Sequence, residues 1–309
     1  MSPHHYRLAA SIGVDLLRAM AVAFGIIVFT FFIIRMIPGD VVDVRGIEGS
    51  LTYSQQSLMR EELGLNKPWL TQFFEWCTMI LSGDLGQSAR FARPIADLLG
   101  AVLPSTLLLG ATALGIGVVL GVTVCVLAAL FPRSIFVPVV DFITIWSITV
   151  PTFSIGIVSL IVFAVWLDWI PAIGNFTVPA LILGLDTAGS IAKALHEDMR
   201  ETETAEFIRA ARARGVSHAG IVLRHILPNA ITVTIAIIGL MLAGVFTGAI
   251  TMEVVFGLPG LGTLTLQAIR GRDYAVVQAI IIWLGVAVIF ANFVADTLGK
   301  LINPRLRKI

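Results

Sequence analysis

Residues 197–228 read EDMRETETAEFIRAARARGVSHAGIVLRHILP. On a helical wheel Thr204, Phe207, Ile208 and Ala211 share one stripe, while Glu203, Glu206, Arg209 and Arg212 occupy the other side. That division predicts an amphipathic helix. Glu206 and Arg209, spaced i, i+3, support it modestly. Gly215 stops the helix, as a residue free to adopt positive φ can. Ser217 is placed to cap a second helix with Ile221, Val222, Leu223 and Ile226 as its apolar residues. Leu227-Pro228 then marks the return to apolar sequence. A helix resting on lipid headgroups is one reading of this stretch. A docking element for a soluble partner is the sharper one, because the acidic residues interspersed with the basic ones would be repelled by anionic headgroups.

Outward from this polar island the chain is apolar. Of its 309 residues 57% are hydrophobic and only 13% charged, and the mean hydropathy is +0.92. A soluble domain carries about 25% charged residues. This composition excludes a water-soluble globule and a disordered chain, and indicates an integral membrane protein. A net charge of +1 gives no sign of nucleic-acid binding. Cys77 lies in a polar segment and Cys125 deep in an apolar run, so no disulfide is expected between them. His4, His5, His196, His218 and His225 all fall outside the longest apolar runs, which argues against a histidine-dependent metal or acid–base site in the membrane.

Six spans are expected. The first lies between Arg18 and Arg35, extended by Leu16, Leu17, Met36 and Ile37. Arg-Met-Ile-Pro-Gly-Asp follows it rather than a small-x-small cleavage site, so it is read as uncleaved. The others cover about Pro104–Phe131, Phe136–Leu167, Val178–Leu195, Ile231–Val255 and Val276–Val294. Gly117-x-x-x-Gly121 permits close helix packing in the second. Pro151 interrupts the third and is expected to kink it, as part of a gate or for packing alone. Asp186 lies near the middle of the fourth, where a carboxylate is costly. It is read either as lining a pathway or as paired or protonated in a small polar pocket. Asp141, nearer a span end, is read as interfacial.

With the N-terminus cytoplasmic, the inside segments hold 13 Lys and Arg residues, and the two short outside loops hold only Arg270 and Arg272. The contrast places both termini inside. The organisation expected is a tail and first helix over residues 1–37, an outer segment over 38–97, and a core of five helices over 98–309 that includes the loop 197–228. The outer segment carries 13 charges and shows helical patterning around Ser54–Leu63 and Trp69–Leu81, as a small folded unit rather than a linker would.

At Glu206-Phe-Ile-Arg-Ala-Ala-Arg-Ala-Arg-Gly215, followed by Leu227-Pro228, the chain resembles the EAA loop of ABC importer permeases in its peptide-importer form. Arg209 stands where the general pattern has glutamate, and His225 where it has an apolar residue, so the glutamate's role does not carry over to Arg209. Ile34-Arg-Met-Ile-Pro-Gly-Asp40, Leu63-Gly-Leu-Asn-Lys-Pro68, Gly83-Asp-Leu-Gly-Gln-Ser88, Pro151-x-Phe153, Phe256-Gly-Leu-Pro-Gly-Leu-Gly262, Arg272-Asp-Tyr-Ala-Val-Val-Gln278 and Asn303-Pro-Arg305 recur in order over nearly the whole chain. They resemble the first of the two dissimilar permeases of dipeptide, oligopeptide and nickel importers.

The resemblance implies an all-α polytopic protein of the MetI-like permease fold, with six transmembrane helices and a periplasmic segment after the first, in a bacterial inner membrane. It implies a second homologous permease, two cytoplasmic ATPase subunits, and a periplasmic or lipid-anchored solute-binding protein as partners. Glu206, Phe207, Ile208, Arg209, Ala210, Ala211, Gly215, Leu227 and Pro228 would couple this chain to the ATPases, with Phe207, Ile208 and Ala211 as the docking face. Pro151, Asp186, Glu253 and Pro259 would line or gate the pathway. No G-x-x-x-x-G-K-[ST] phosphate loop occurs, so ATP and magnesium would be bound by the partner subunits, with no cofactor, metal site or catalytic residue in this chain. A secondary transporter or channel-type protein is the rival reading, but no repeated halves with paired broken helices are visible and the polar loop would be left unexplained. An intramembrane enzyme is the other. It would need a nucleophile and base or a metal cluster within the spans.

Overall fold

Apolar runs free of internal breakers dictate long helices, and the breakers set where they end. The computed structural model describes residues 3–40, 42, 43, 46 and 52–302. The segment Asn303–Arg305 lies outside the described residues. Helix α1 covers Pro3–Arg35, α2 Tyr53–Glu62, α3 Trp69–Leu81, α4 Ile95–Leu130 and α5 Phe136–Thr149. Helix α6 covers Thr152–Ser159 and runs on as a π-helix over Leu160–Trp166. Helix α7 covers Thr177–Glu203, α8 Glu206–Ala213, and α9 His218–Ile221 with a π-helical turn over Val222–Ile226. Helix α10 covers Leu227–Phe256, α11 Leu261–Arg270 and α12 Tyr274–Ile302. Among the described residues the only bridge outside helices joins Gln87 to Pro94.

By length and composition α1 from Ser11, α4, α7 and α12 to Thr297 can each cross a membrane. Six spans result when Phe136–Thr149 with Thr152–Trp166, and Gly244–Phe256 with Leu261–Arg270, each count as one. The helices overrun the expected spans at several ends. Helix α7 does not stop at Leu195 but continues for two further turns, because the sequence from His196 to Glu203 contains neither Gly nor Pro. Part of the expected polar loop is therefore the aqueous end of a membrane helix. Pro104 sits inside α4 rather than at its start.

The chain forms two compact units. One is built around Thr106–Leu258, and α7 is its axis. Glycines let its neighbours approach. A Cβ added to Gly117 would lie 2.6 Å from Thr187 Cβ, and one on Gly121 would lie 2.8 Å from the Ala188 carbonyl oxygen. One on Gly184 would lie 2.6 Å from Ile116 Cγ2, and one on Gly189 would collide with the Ile143 carbonyl oxygen. The Gly117-x-x-x-Gly121 spacing thus serves contact between α4 and α7, and Gly189 serves contact between α7 and α5. On the remaining side α7 packs against α10, where Leu183 closes on Gly248.

The other unit comprises Met20–Ser105 and Pro259–Ala287. Here segments far apart in sequence meet. Arg272 Nη1 donates to the Pro38 carbonyl at 2.7 Å, and the Tyr274 hydroxyl donates to the Gly39 carbonyl at 2.8 Å. Ser88 Oγ and the Arg90 amide donate to Asp273 Oδ2 at 2.6 and 3.0 Å. Asp273 is buried, so these bonds replace water it has lost. Arg60 pairs with Asp40 at 3.0 Å and also with Asp43. The hydrogen bond to Asp40 is the largest influence holding its guanidinium in the charged form, and its pKa lies above the ordinary value.

Candidate functional site

The segment expected to couple begins where α7 ends. Thr204 closes α7 instead of joining the next stripe, and α8 starts at Glu206. Its C-terminus follows from Gly215, which holds φ at +77°. The Val216 amide donates to the Ala211 carbonyl at 3.3 Å and the Gly215 amide to the Arg212 carbonyl at 3.0 Å, a Schellman cap. Ser217 then caps α9, its Oγ accepting from the Gly220 amide at 3.2 Å. His218 Nε2 donates to the carbonyl of Ala129 at the end of α4, at 2.9 Å. Arg212 Nη2 donates to Glu203 Oε1 at 2.5 Å, tying α8 to the end of α7. Both partners are about half exposed, so that pair adds little stability.

Ile208 and Ala211 are fully buried and do not face outward. They join a cluster with Cys125 and Ala128 of α4, Val140 and Ile143 of α5, Ala192, Leu195 and Met199 of α7, Ile221, Val222 and Ile226 of α9, and Ala230 of α10. This corrects the expected docking face. An apolar stripe on a surface helix packs on the nearest core of its own chain, and burying Ile208 is worth roughly 1.5–3 kcal/mol. Phe207, at 47% exposed, is the apolar side chain left facing out, flanked by exposed Glu206, Arg209 and Ala210. Pro228 is the second residue of α10, directly after the π-helical turn.

The membrane part of the same unit holds a cavity of about 460 Å³. Its polar lining is Asp186 with five hydroxyl residues, Thr152, Thr187, Ser190, Thr247 and Thr251. Leu183, Met241, Val245 and the glycines Gly244 and Gly248 complete it. Among the described residues no cation pairs with Asp186. Pro151 does not merely kink the third span. The chain leaves the helix at Val150 and Pro151, both extended, and α6 restarts with its axis 97° from that of α5. The clash of the proline ring with the preceding residue disfavours helix there. The restart places Thr152 at the cavity wall. Glu253 is fully buried near the end of α10, and its carbonyl accepts the Leu258 amide at 2.9 Å. Gly257 ends that helix at φ +61°, and Pro259 follows in the break before α11. Asp141 is exposed on α5.

Residues 117–308 match the family described as the binding-protein-dependent transport system inner membrane component. The chain belongs to this family. The permease is 33% identical to the glutathione transport system permease protein GsiC of Escherichia coli O6:H1 over 298 residues, covering 94% of this chain and 97% of that one. It is 30% identical to a protein of Brucella suis biovar 1 named as a peptide permease, over 309 residues and the same shares of each chain. Among solved structures it is similar to the MetNI methionine ABC transporter, with a TM-score of 0.55 and 22% identity over 67% of this chain and 96% of that one. It is also similar to an amino acid ABC transporter, with a TM-score of 0.50 and 20% identity over 76% and 98%. These two likenesses show the fold.

The permease is thus a multi-pass inner-membrane subunit of an ABC importer, all-helical and MetI-like. Sequence reading found Asp186 but missed the hydroxyl residues around it. Ser190 carries a readable signal, since it lies four positions from Asp186 on one helix face, whereas Thr187, next in sequence, is turned about 100° away. Thr152, Thr247 and Thr251 carry none, because they reach the cavity only through the break at Pro151 and the packing of α10 on α7.

Proposed function

We propose that this permease is one of two homologous membrane subunits of an ATP-driven importer of peptides. Two cytoplasmic ATPase subunits bind ATP and magnesium and engage α8 and α9, with Phe207, Arg209 and Ala210 on the contact side. Ile208 and Ala211 transmit the movement inward, Gly215 holds the turn, and Leu227-Pro228 carries it into α10. The observation behind this reading is the cluster that seats α8 against α4, α5, α7 and α10. A displacement of α8 cannot leave those helices in place, because close-packed interfaces shift between discrete arrangements rather than deform smoothly. Both termini lie in the cytoplasm. Residues 38–97 face the periplasm, where a solute-binding protein delivers substrate, and residues 98–309 form the transport core.

The cavity around Asp186 is a section of the pathway. Its hydroxyls can exchange hydrogen bonds with a peptide backbone, and Pro151, Glu253 and Pro259 belong to the bends that gate it. Peptide as the substrate class is supported by the names of the relatives that match over 94% of the chain. The test is reconstitution of the permease with its co-purifying subunits in proteoliposomes, with ATP on the ATPase side and binding protein with labelled dipeptide or glutathione on the other. Uptake that needs ATP and the binding protein is the expected result. Uptake by this polypeptide alone, without ATP, would overturn the reading in favour of a secondary transporter or channel.

A further inference from the structure

Helix α3 reads WLTQFFEWCTMIL and lies outside the six spans, yet its only charge is Glu75, which Lys67 neutralises at 2.7 Å. Its faces divide three ways. Gln72, Phe73, Trp76 and Ile80 turn inward, and Phe73 and Gln72 are buried. Thr71, Glu75 and Thr78 form a polar exposed face. Between them Leu70, Phe74, Cys77 and Leu81 make a stripe at i, i+4, i+7 and i+11. Leu70 is 63%, Phe74 65% and Leu81 86% exposed.

The inward face fixes the height of this helix. Phe73 meets Phe31 and Phe32 with ring centroids 5.1 and 5.7 Å apart, and Trp76 meets Phe31 at 5.2 Å. These are the last turns of the first span. Arg35 lies over the Phe31 ring and donates to Gln72 Oε1 at 2.9 Å, so the cation that ends the span also ties down α3. Phe29 and Ile33 on α1, and Met36 and Ile37 just past its end, are also exposed. The exposed apolar surface at the end of α1 therefore continues onto α3.

We propose that α3 is an interfacial helix seated in the outer leaflet, with Leu70, Phe74, Cys77 and Leu81 among the upper acyl chains and Thr71, Glu75 and Thr78 in water. An apolar stripe beside a polar one, with tryptophans at Trp69 and Trp76, is what the headgroup boundary selects. The outer segment is then held at the bilayer surface at one edge rather than standing free in the aqueous space.

The test places the full chain, with the subunits that co-purify, in nanodiscs of phosphatidylethanolamine and phosphatidylglycerol containing a phospholipid with a photoactivatable acyl chain. Adducts are mapped by mass spectrometry after illumination. Adducts on Leu70, Phe74 and Leu81 at yields comparable with Phe24 and Phe29 of α1, and none on Thr71 or Thr78, are expected. Labelling of α1 with none on 69–81 would overturn the proposal, and so would equal labelling of all faces of α3. Spin labels at positions 70, 74, 71 and 78 in a Cys77→Ala, Cys125→Ala background give an independent reading. The first two are expected to be more accessible to oxygen than to a water-soluble nickel chelate, and the last two the reverse. Labels at 70 and 74 shielded from both reagents would show a protein partner on the stripe and overturn the lipid assignment.

Discussion

Replacing Gly215 isolates one element of the coupling mechanism. A Cβ added there meets nothing within 4 Å, so side-chain size is not at issue. The backbone is, because φ is +77°. An L-residue in this region costs roughly 1–2 kcal/mol. Part of that is offset because alanine also restricts the open chain, leaving a net of about 1 kcal/mol or roughly fivefold in the population of the open cap. Gly215→Ala should therefore speed hydrogen exchange at the Gly215 and Val216 amides about fivefold, read in peptides spanning α8 in the assembled complex. Gly215→Asn should cost less, since asparagine tolerates the left-handed region, and Gly215→Val more, since its branched Cβ does not. Stimulation of ATPase activity by substrate should fall in the same order. Unchanged exchange in Gly215→Ala, or Gly215→Asn as damaging as Gly215→Val, would refute the view that the turn acts through its left-handed cap.

Asp186→Asn should lower uptake about tenfold or more, equivalent to ~1.4 kcal/mol, while the ATPase activity of the complex persists; loss of subunit assembly instead would assign the carboxylate to packing. Gly117→Val should destabilise the α4–α7 contact by about 1–3 kcal/mol in thermal unfolding, whereas Gly115→Ala, with nothing within 4 Å of the added Cβ, should not destabilise and should gain up to about 1 kcal/mol. Ile208→Ala should cost about 2–5 kcal/mol locally and loosen α8 from the membrane helices, seen as rapid exchange across 206–213 with α10 still protected. Asp273→Asn weakens the buried contacts from Ser88 and Arg90, and should raise protease cleavage around Ser88 through a loss of about 1–3 kcal/mol.

Much of the architecture is legible along the chain because its causes are local. Apolar run length sets the spans, Gly215 and Ser217 set the ends of α8 and α9, and Pro151 breaks the third span. The end of α7 was not legible, because its last turns are polar and only the lack of a breaker extends them. The surface that covers the stripe on α8 is not legible either. An amphipathic pattern shows that one face is buried, but not whether the covering surface belongs to the same chain.

The recurring motifs show the same division. Ile34–Asp40, Gly83–Ser88 and Arg272–Gln278 are separate words in the sequence, and nothing in their spacing says that Pro38 and Gly39 receive Arg272 and Tyr274, or that Ser88 meets Asp273. Composition, charge placement and local breakers determined that this is a six-span membrane protein with one polar, amphipathic segment between its later spans. Only the tertiary structure decided that Ile208 and Ala211 are inner anchors, that five hydroxyls surround Asp186, and that the outer motifs form one cluster. Local sequence controls backbone torsions, whereas these contacts depend, within each unit, on how glycines of α4 and α7 let helices approach and on how residues distant in sequence meet.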